Sequence, residues 1–118
     1  MIRINTIIFL GLIIGSLLPH LLLAQSYKKF SAFAGGNAAE ETISLKEVNG
    51  ETYLLGYTKS SNFPVTNGTT YKGFNDITLV KYDVAGNVLY ATYLGGTGDE
   101  SNVVMQVING EVLLSGNT

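Results

Sequence analysis

From Phe30 onward, apolar and polar residues alternate in short runs broken by Gly, Asn, Asp or Pro. A period of two, rich in β-branched and aromatic residues, is the pattern of half-buried strands. The runs predict strands at Tyr27–Phe33, Ile43–Val48, Thr52–Tyr57, Asp76–Asp83, Asn87–Leu94, Val103–Ile108 and Glu111–Asn117. Asn49-Gly50 and Asn109-Gly110 each separate two of these runs. A two-residue type I′ hairpin turn needs positive φ at both central positions, and Asn-Gly meets that need best. Val84-Ala85-Gly86 joins a third pair. No stretch beyond the N-terminal segment sustains a 3.6-residue period with capping residues, so no helix is expected there.

The pattern is written twice. Phe30–Thr58 aligns with Tyr90–Thr118 without a gap, at an offset of 60 residues. Gly35-Gly36 falls on Gly95-Gly96, Glu40 on Glu100, and Asn49-Gly50-Glu51 on Asn109-Gly110-Glu111. Leu54, Gly56 and Thr58 fall on Leu114, Gly116 and Thr118, and Phe33 on Tyr93. A recurring unit of this length is the mark of a repeat architecture. Short connections suggest a unit of four strands in an antiparallel meander: Asp76–Asp83, Asn87–Leu94, Val103–Ile108 and Glu111–Asn117. In Asn87–Leu94 both faces are apolar, with Val88, Tyr90 and Leu94 on one and Leu89, Ala91 and Tyr93 on the other. A sheet with one wet face alternates more cleanly. Two covered faces suit a sheet stacked between like sheets, and a four-stranded meander repeated radially is a β-propeller blade. The expected fold is therefore all-β, a partial propeller of about one and a half blades. The link Lys59–Asn75 is long and rich in Ser, Asn, Thr and Gly, with Phe63 expected to plug the blade edge.

The N-terminus changes the picture of the chain's length. Arg3 precedes an almost unbroken apolar run, Thr6–Leu18, and Leu21-Leu22-Leu23-Ala24 follows Pro19-His20. A basic start, a short apolar core and a small residue describe a secretory signal peptide, cut near Ala24. The competing reading is an uncleaved anchor, but the unbroken run falls short of the ~20 residues a membrane span needs. The expected division is residues 1–24 as signal helix, 25–58 as a partial, degenerate first β-repeat, and 59–118 as a second repeat truncated at its end. Localisation follows as secreted or cell-surface, with membrane contact only through the signal before cleavage.

Six Lys oppose nine acids once Arg3 is removed, and no Cys is present. A mildly acidic surface without Arg is a poor nucleic-acid binder. The single His, His20, leaves with the signal segment. The remaining chain lacks the residue types of Ser–His and Cys–His catalysis and of His- or Cys-based zinc sites. No catalytic, cofactor-binding or metal-binding residue is assigned. Glu40-Glu41 and Asp99-Glu100 read as solvated loop charges, because strand neighbours point to opposite faces. Gly95-Gly96-Thr97-Gly98 lacks the Lys and helix of a phosphate loop. Asp83 and Asn87 read as caps of a hairpin turn. Asn67-Gly68-Thr69 matches a glycosylation acceptor and equally a turn. Tyr71 and Phe74 stand out as aromatics in the long link, and with Asn62, Asn67 and Asn75 they form the candidate ligand-facing loop.

Several of these segments, taken together, resemble the bacterial SBBP-type β-propeller repeat. They are Thr58–Thr66 with Asn62-Phe63-Pro64, Asp76–Asp83, Gly86-Asn87, and Thr92-Tyr93-Leu94-Gly95-Gly96-Thr97-Gly98-Asp99. The resemblance covers about Phe30 to Thr118. It implies a large, exported, surface-associated protein of the kind common in Bacteroidetes, and an adhesion role. The first copy departs from the pattern, with Ala34 for Leu94 and Asn37-Ala38-Ala39 for Thr97-Gly98-Asp99. The family carries many repeats, so a fragment is expected. The function expected is a non-catalytic binding or adhesion scaffold whose partners are neighbouring blades, of the same or identical chains, and surface glycans or proteins. Two alternatives stand beside it: the front part of a larger exported carbohydrate-active enzyme, and a short subunit that self-assembles into a closed propeller.

Overall fold

The structure, a computed structural model, describes residues 32–118. The proposed signal segment and most of the first predicted strand lie outside the described residues. The end of that strand, Ala32-Phe33, is not in a strand. All six other predicted strands form: β1 (Glu40–Val48), β2 (Glu51–Thr58), β3 (Asp76–Tyr82), β4 (Val88–Leu94), β5 (Ser101–Ile108) and β6 (Glu111–Asn117). Among the described residues there is no helix.

The grouping of strands differs from the one expected. β1-β2-β3-β4 make one four-stranded antiparallel sheet, and β5-β6 make a separate two-stranded one. The meander therefore runs from Glu40 to Leu94, not from Asp76 to Asn117. The boundary expected after Thr58 falls between two paired strands, with Thr58 opposite Asp76. The reason lies in the two connections. Gly95–Glu100 is short, yet it leads away from β4 into the new sheet, touching Asn75 by a single bridge to Asp99. Lys59–Asn75 is long, yet it folds back over its own sheet and returns the chain beside β2.

The repeat is visible in the backbone. β1 and β2 turn through Asn49 and Gly50 at φ 53° and 83°, and β5 and β6 turn through Asn109 and Gly110 at 52° and 81°. These are the positive angles of a type I′ turn. Each pair also carries a register irregularity near its open end, between Thr42 and Ser44 and between Ser101 and Val104. There the backbone crowds a glycine. A Cβ on Gly56 would sit 2.7 Å from the Glu41 carbonyl oxygen, and one on Gly116 would sit 3.1 Å from that of Ser101.

The two sheets pack face to face. Tyr53, Leu55, Ile77 and Leu79 from the first meet Val103 and Met105 from the second. Alternation sends Leu54, Val80, Tyr82, Ala91 and Tyr93 to the opposite face of the first sheet, where Phe63, Val65 and Tyr71 of the link cover them. One face of this sheet is thus covered by a second sheet and the β3-β4 side of the other by the chain's own link, while Leu45 of β1, on that same face, stays exposed. Phe63 is buried there as expected of a plug. Phe33 and Tyr93, matched by the repeat, do not share an environment: Phe33 is 87% exposed and Tyr93 5%. Phe33 is in no strand, whereas β4 holds Tyr93 against the link.

Leu55 is fully buried in the seam between the sheets. Truncating a buried Leu to Ala costs about 2–5 kcal/mol, whereas substitutions on the surface stay within about 0.5 kcal/mol. Leu55→Ala is expected to show the large loss in urea denaturation followed by circular dichroism. Leu113→Ala, at a half-exposed position on the outer face of β6, is expected to show the small one.

Candidate functional site

The five link residues singled out from the sequence do not converge. Asn62 lies at one end, where its Oδ1 accepts from the Asn37 amide at 2.8 Å. Asn67 is committed to the fold. Its Nδ2 donates to Thr92 Oγ1 at 2.9 Å and Tyr90 Oη at 3.2 Å, and its Oδ1 accepts from Thr69. The Asn67-Gly68 turn, with Gly68 at φ 71°, is a built corner whose amide nitrogen is already in use. Tyr71 stacks edge-on against Tyr93, ring centres 6.1 Å apart, and donates to the Phe74 carbonyl. Asn75 accepts the Glu100 amide with its carbonyl oxygen. Asn62, Asn67 and Phe74 are exposed, and of the two aromatics Phe74 is the one in solvent, 76% exposed.

Tyr93 ties the link to the sheet. Its hydroxyl accepts from the Phe63 amide at 2.7 Å and donates to the Ser60 carbonyl at 2.6 Å. Burial pushes its phenol pKa up. Asp83 caps its hairpin as expected, with Oδ1 accepting from the Ala85 and Asn87 amides and Oδ2 from Asn87 Nδ2. The Asn87 side chain and amide hold the Asp83 carboxyl below the usual range.

The acidic residues read as solvated loop charges are where the structure departs most from that reading. Glu40 Oε1 accepts from the Gly36 amide at 2.9 Å, from Thr58 Oγ1 at 3.2 Å, and from Ser60 Oγ. Ser60 Oγ in turn accepts from the Ala38 amide. One carboxylate thus latches the Gly-Gly turn before β1 to the end of β2 and the start of the link. Sixty residues on, Glu100 Oε1 accepts from the Gly96 amide at 2.8 Å and from Thr118 Oγ1 at 3.1 Å. Gly96 and Thr118 are the repeat equivalents of Gly36 and Thr58. A strand-neighbour argument missed them because each carboxylate bonds backbone and hydroxyls, not another acid. The signal was present in the sequence: an acid, a Gly-Gly four residues before it and a Thr eighteen after, all three kept at the repeat offset.

The two copies differ in surroundings. Glu40 is exposed, whereas Glu100 is 3% exposed and its Oε2 has no hydrogen-bond partner. Glu100 sits in the wall of a cleft of about 480 Å³ between the sheets, with Leu94, Val103 and Leu114 as its apolar lining. Among the described residues no group of three His, Cys, Asp or Glu side chains could hold a metal ion.

The comparisons with known proteins give one regional similarity. The chain is 33% identical over 96 residues to regulatory protein FlaEY of Caulobacter vibrioides, an alignment covering 79% of this chain. The chain spans 10% of that relative's length. No family model and no solved structure matches.

The Ser60 hydroxyl, before all else, holds the Glu40 carboxyl below the ordinary carboxylate value. Partial burial opposes it, and the Gly36 amide and Thr58 hydroxyl add to it. A carboxyl with a depressed folded-state pKa stabilises the fold above its unfolded pKa, and that contribution is lost as pH falls through the folded value. The urea midpoint is therefore expected to fall from roughly pH 4.5 downward. Glu40→Gln is expected to flatten part of that fall, with the rest left to Glu51 and Asp83, whose values are lowered too. An unchanged pH profile in the variant contradicts the latch.

Proposed function

We propose that this chain is a module of a β-propeller-type repeat protein, exported, and serving as a binding or adhesion scaffold and not as a catalyst. The observation that carries the reading is the sixty-residue equivalence of two strand pairs, down to their turns, crowded glycines and glutamate latches. A unit repeated in this way and stacked face to face on its neighbour is the building plan of radial and solenoid arrays. The regional match, a small part of a much longer relative, is of the size a module gives. The basic-then-apolar N-terminus supports export.

Outward faces support the need for neighbours. Leu45 on the first sheet is 64% exposed, and Val104 and Leu113 on the second are 65% and 51% exposed. By the repeat, Leu45 and Leu54 match Met105 and Leu114, which lie against the first sheet inside this chain. Like sheets, from the same or identical chains, would cover such faces in the same way. Adhesion itself comes from the family resemblance, and a fold hosts many functions. The exposed aromatic Phe74 is the side chain best placed to stack on a sugar ring or a protein surface.

Arrays of surface glycans and extracellular proteins, probed with the chain, test the reading. Saturable binding to one class is expected, reduced at least tenfold by Phe74→Ala while the β circular-dichroism signal is kept. Release of reducing sugar from a bound glycan, or no binding on any array, overturns the scaffold reading.

A further inference from the structure

We propose that Thr66–Thr69 of the link is an edge strap: it holds the outer edge of β4 closed, and when it lifts, β4 pairs with β4 of a second copy of this chain. β3 takes one edge of β4. On the other edge Ala91 and Tyr93 turn their backbone groups outward, and the link meets them. The Thr66 amide donates to the Ala91 carbonyl at 2.8 Å, and the Ala91 amide donates to Thr66 Oγ1 at 2.9 Å. A neighbouring strand would exchange the same two bonds through its own amide and carbonyl. Here a hydroxyl stands in for the carbonyl, so the link closes the position with one residue and need not run on as a strand. The Tyr93 amide donates to Thr69 Oγ1 at 3.0 Å, and the Tyr93 carbonyl accepts from Thr92 Oγ1 at 2.9 Å. The outward backbone groups of Ala91 and Tyr93 are thus taken without a fifth strand.

The covered strand explains the need for a strap. β4 reads Val88-Leu89-Tyr90-Ala91-Thr92-Tyr93-Leu94, 7 residues with no charge, no Pro and no Gly. Uncharged, strongly β-forming segments of that length stack on copies of themselves once an edge is open. Toward the hairpin tip the ladder with β3 slips, with Lys81 opposite Tyr90 but Tyr82 opposite Val88, which leaves Leu89 as an extra residue. A bulge of this kind twists an edge away from partners. The strap closes the part of the edge that the bulge leaves regular. Its build suits release. Phe63 on one side is buried and Tyr71 on the other is half-buried, both edge-on against the Tyr93 ring. Between these two feet Thr66, Asn67, Gly68 and Thr70 are exposed, held down by the threonine bonds and by Asn67 Nδ2 on Tyr90 and Thr92. The arch comes off by breaking hydrogen bonds that water replaces, while its feet stay buried. Strap, feet and edge all lie between Phe63 and Leu94.

Thr66→Val combined with Thr69→Val, in the isotopically labelled 118-residue chain, tests it by removing both hydroxyls and keeping side-chain shape. Hydrogen exchange followed by nuclear magnetic resonance is expected to show slow Ala91 and Tyr93 amides in the unaltered chain. In the double variant those two are expected to exchange at least tenfold faster, with the Leu79 and Val80 amides of β3 unchanged. Thr69→Val alone, the milder change, is expected to free Tyr93 and leave Ala91 slow, so the test stands even where the double variant does not fold. The double variant is also expected to assemble at least tenfold faster by thioflavin fluorescence. Adding Leu89→Lys is expected to abolish that gain, because a charge on a strand edge blocks pairing. Adding Leu113→Lys, on the outer face of β6, is expected to leave it. Fast Ala91 and Tyr93 exchange in the unaltered chain, equal assembly of the double variant and its parent, or suppression by Leu113→Lys as strong as that by Leu89→Lys overturns the proposal.

Discussion

The structure depends on one dry seam. Tyr53, Leu55, Ile77 and Leu79 of the first sheet close over Val103 and Met105 of the second. A two-stranded hairpin is marginal in water by itself, so β5 and β6 hold their shape only because the first sheet gives them something to bury against. The dependence runs both ways. Without the hairpin the first sheet would present Tyr53 and Leu55, among its most buried side chains, to water. The seam is also what makes the repeat physically sensible. The face that the second copy turns inward is the face the first copy turns outward, so each unit is built to receive another.

Over β3 and β4 the other face of the first sheet is closed by different means. The link from Lys59 to Asn75 lies across β3 and β4, with Phe63 and Tyr71 flanking Tyr93 edge-on. The Tyr93 hydroxyl takes one backbone donor from the link and gives its proton to a backbone acceptor. Asn67 and Thr69 bond to Thr92, and Thr66 bonds to Ala91, so the link is stitched along β4. The glutamate latch sits at the corner where link, turn and strand meet. In the first copy Gly36, Thr58 and Ser60 meet the carboxylate, and in the second Gly96 and Thr118 meet it. An electrostatic clip of this kind adds little where water reaches it, and more where burial leaves an oxygen without a partner.

The strands and hairpin turns were legible in the sequence, because Asn-Gly admits one compact turn geometry and alternation at period two marks a face. The grouping of strands was not. Every strand is apolar enough to pair with any other, and loop length misled, since the short connection Gly95–Glu100 leaves the sheet while the long one returns to it. What decides is Phe63, which is buried against its own sheet and holds the return path in place. The latch was half legible. Glu40 and Glu100 stood at the repeat offset with their glycines and threonines, but adjacency to Glu41 and Asp99 suggested a charged surface loop. Burial of Glu100 is a property of the seam and of nothing local to its sequence. The ligand-facing loop read from composition scattered for the same reason: Asn67, Tyr71 and Asn75 are polar or aromatic in order to fix the link, which leaves Phe74 as the exposed aromatic.

The most direct measurement is a set of nuclear Overhauser contacts in methyl- and aromatic-labelled protein. The account predicts contacts from the Leu55 and Leu79 methyls to the Val103 and Met105 methyls, with no cross-strand Hα–Hα contacts between residues 88–94 and 101–108. Hα–Hα contacts joining those two strands in one antiparallel ladder, with the Leu55 methyls far from Met105, would contradict it.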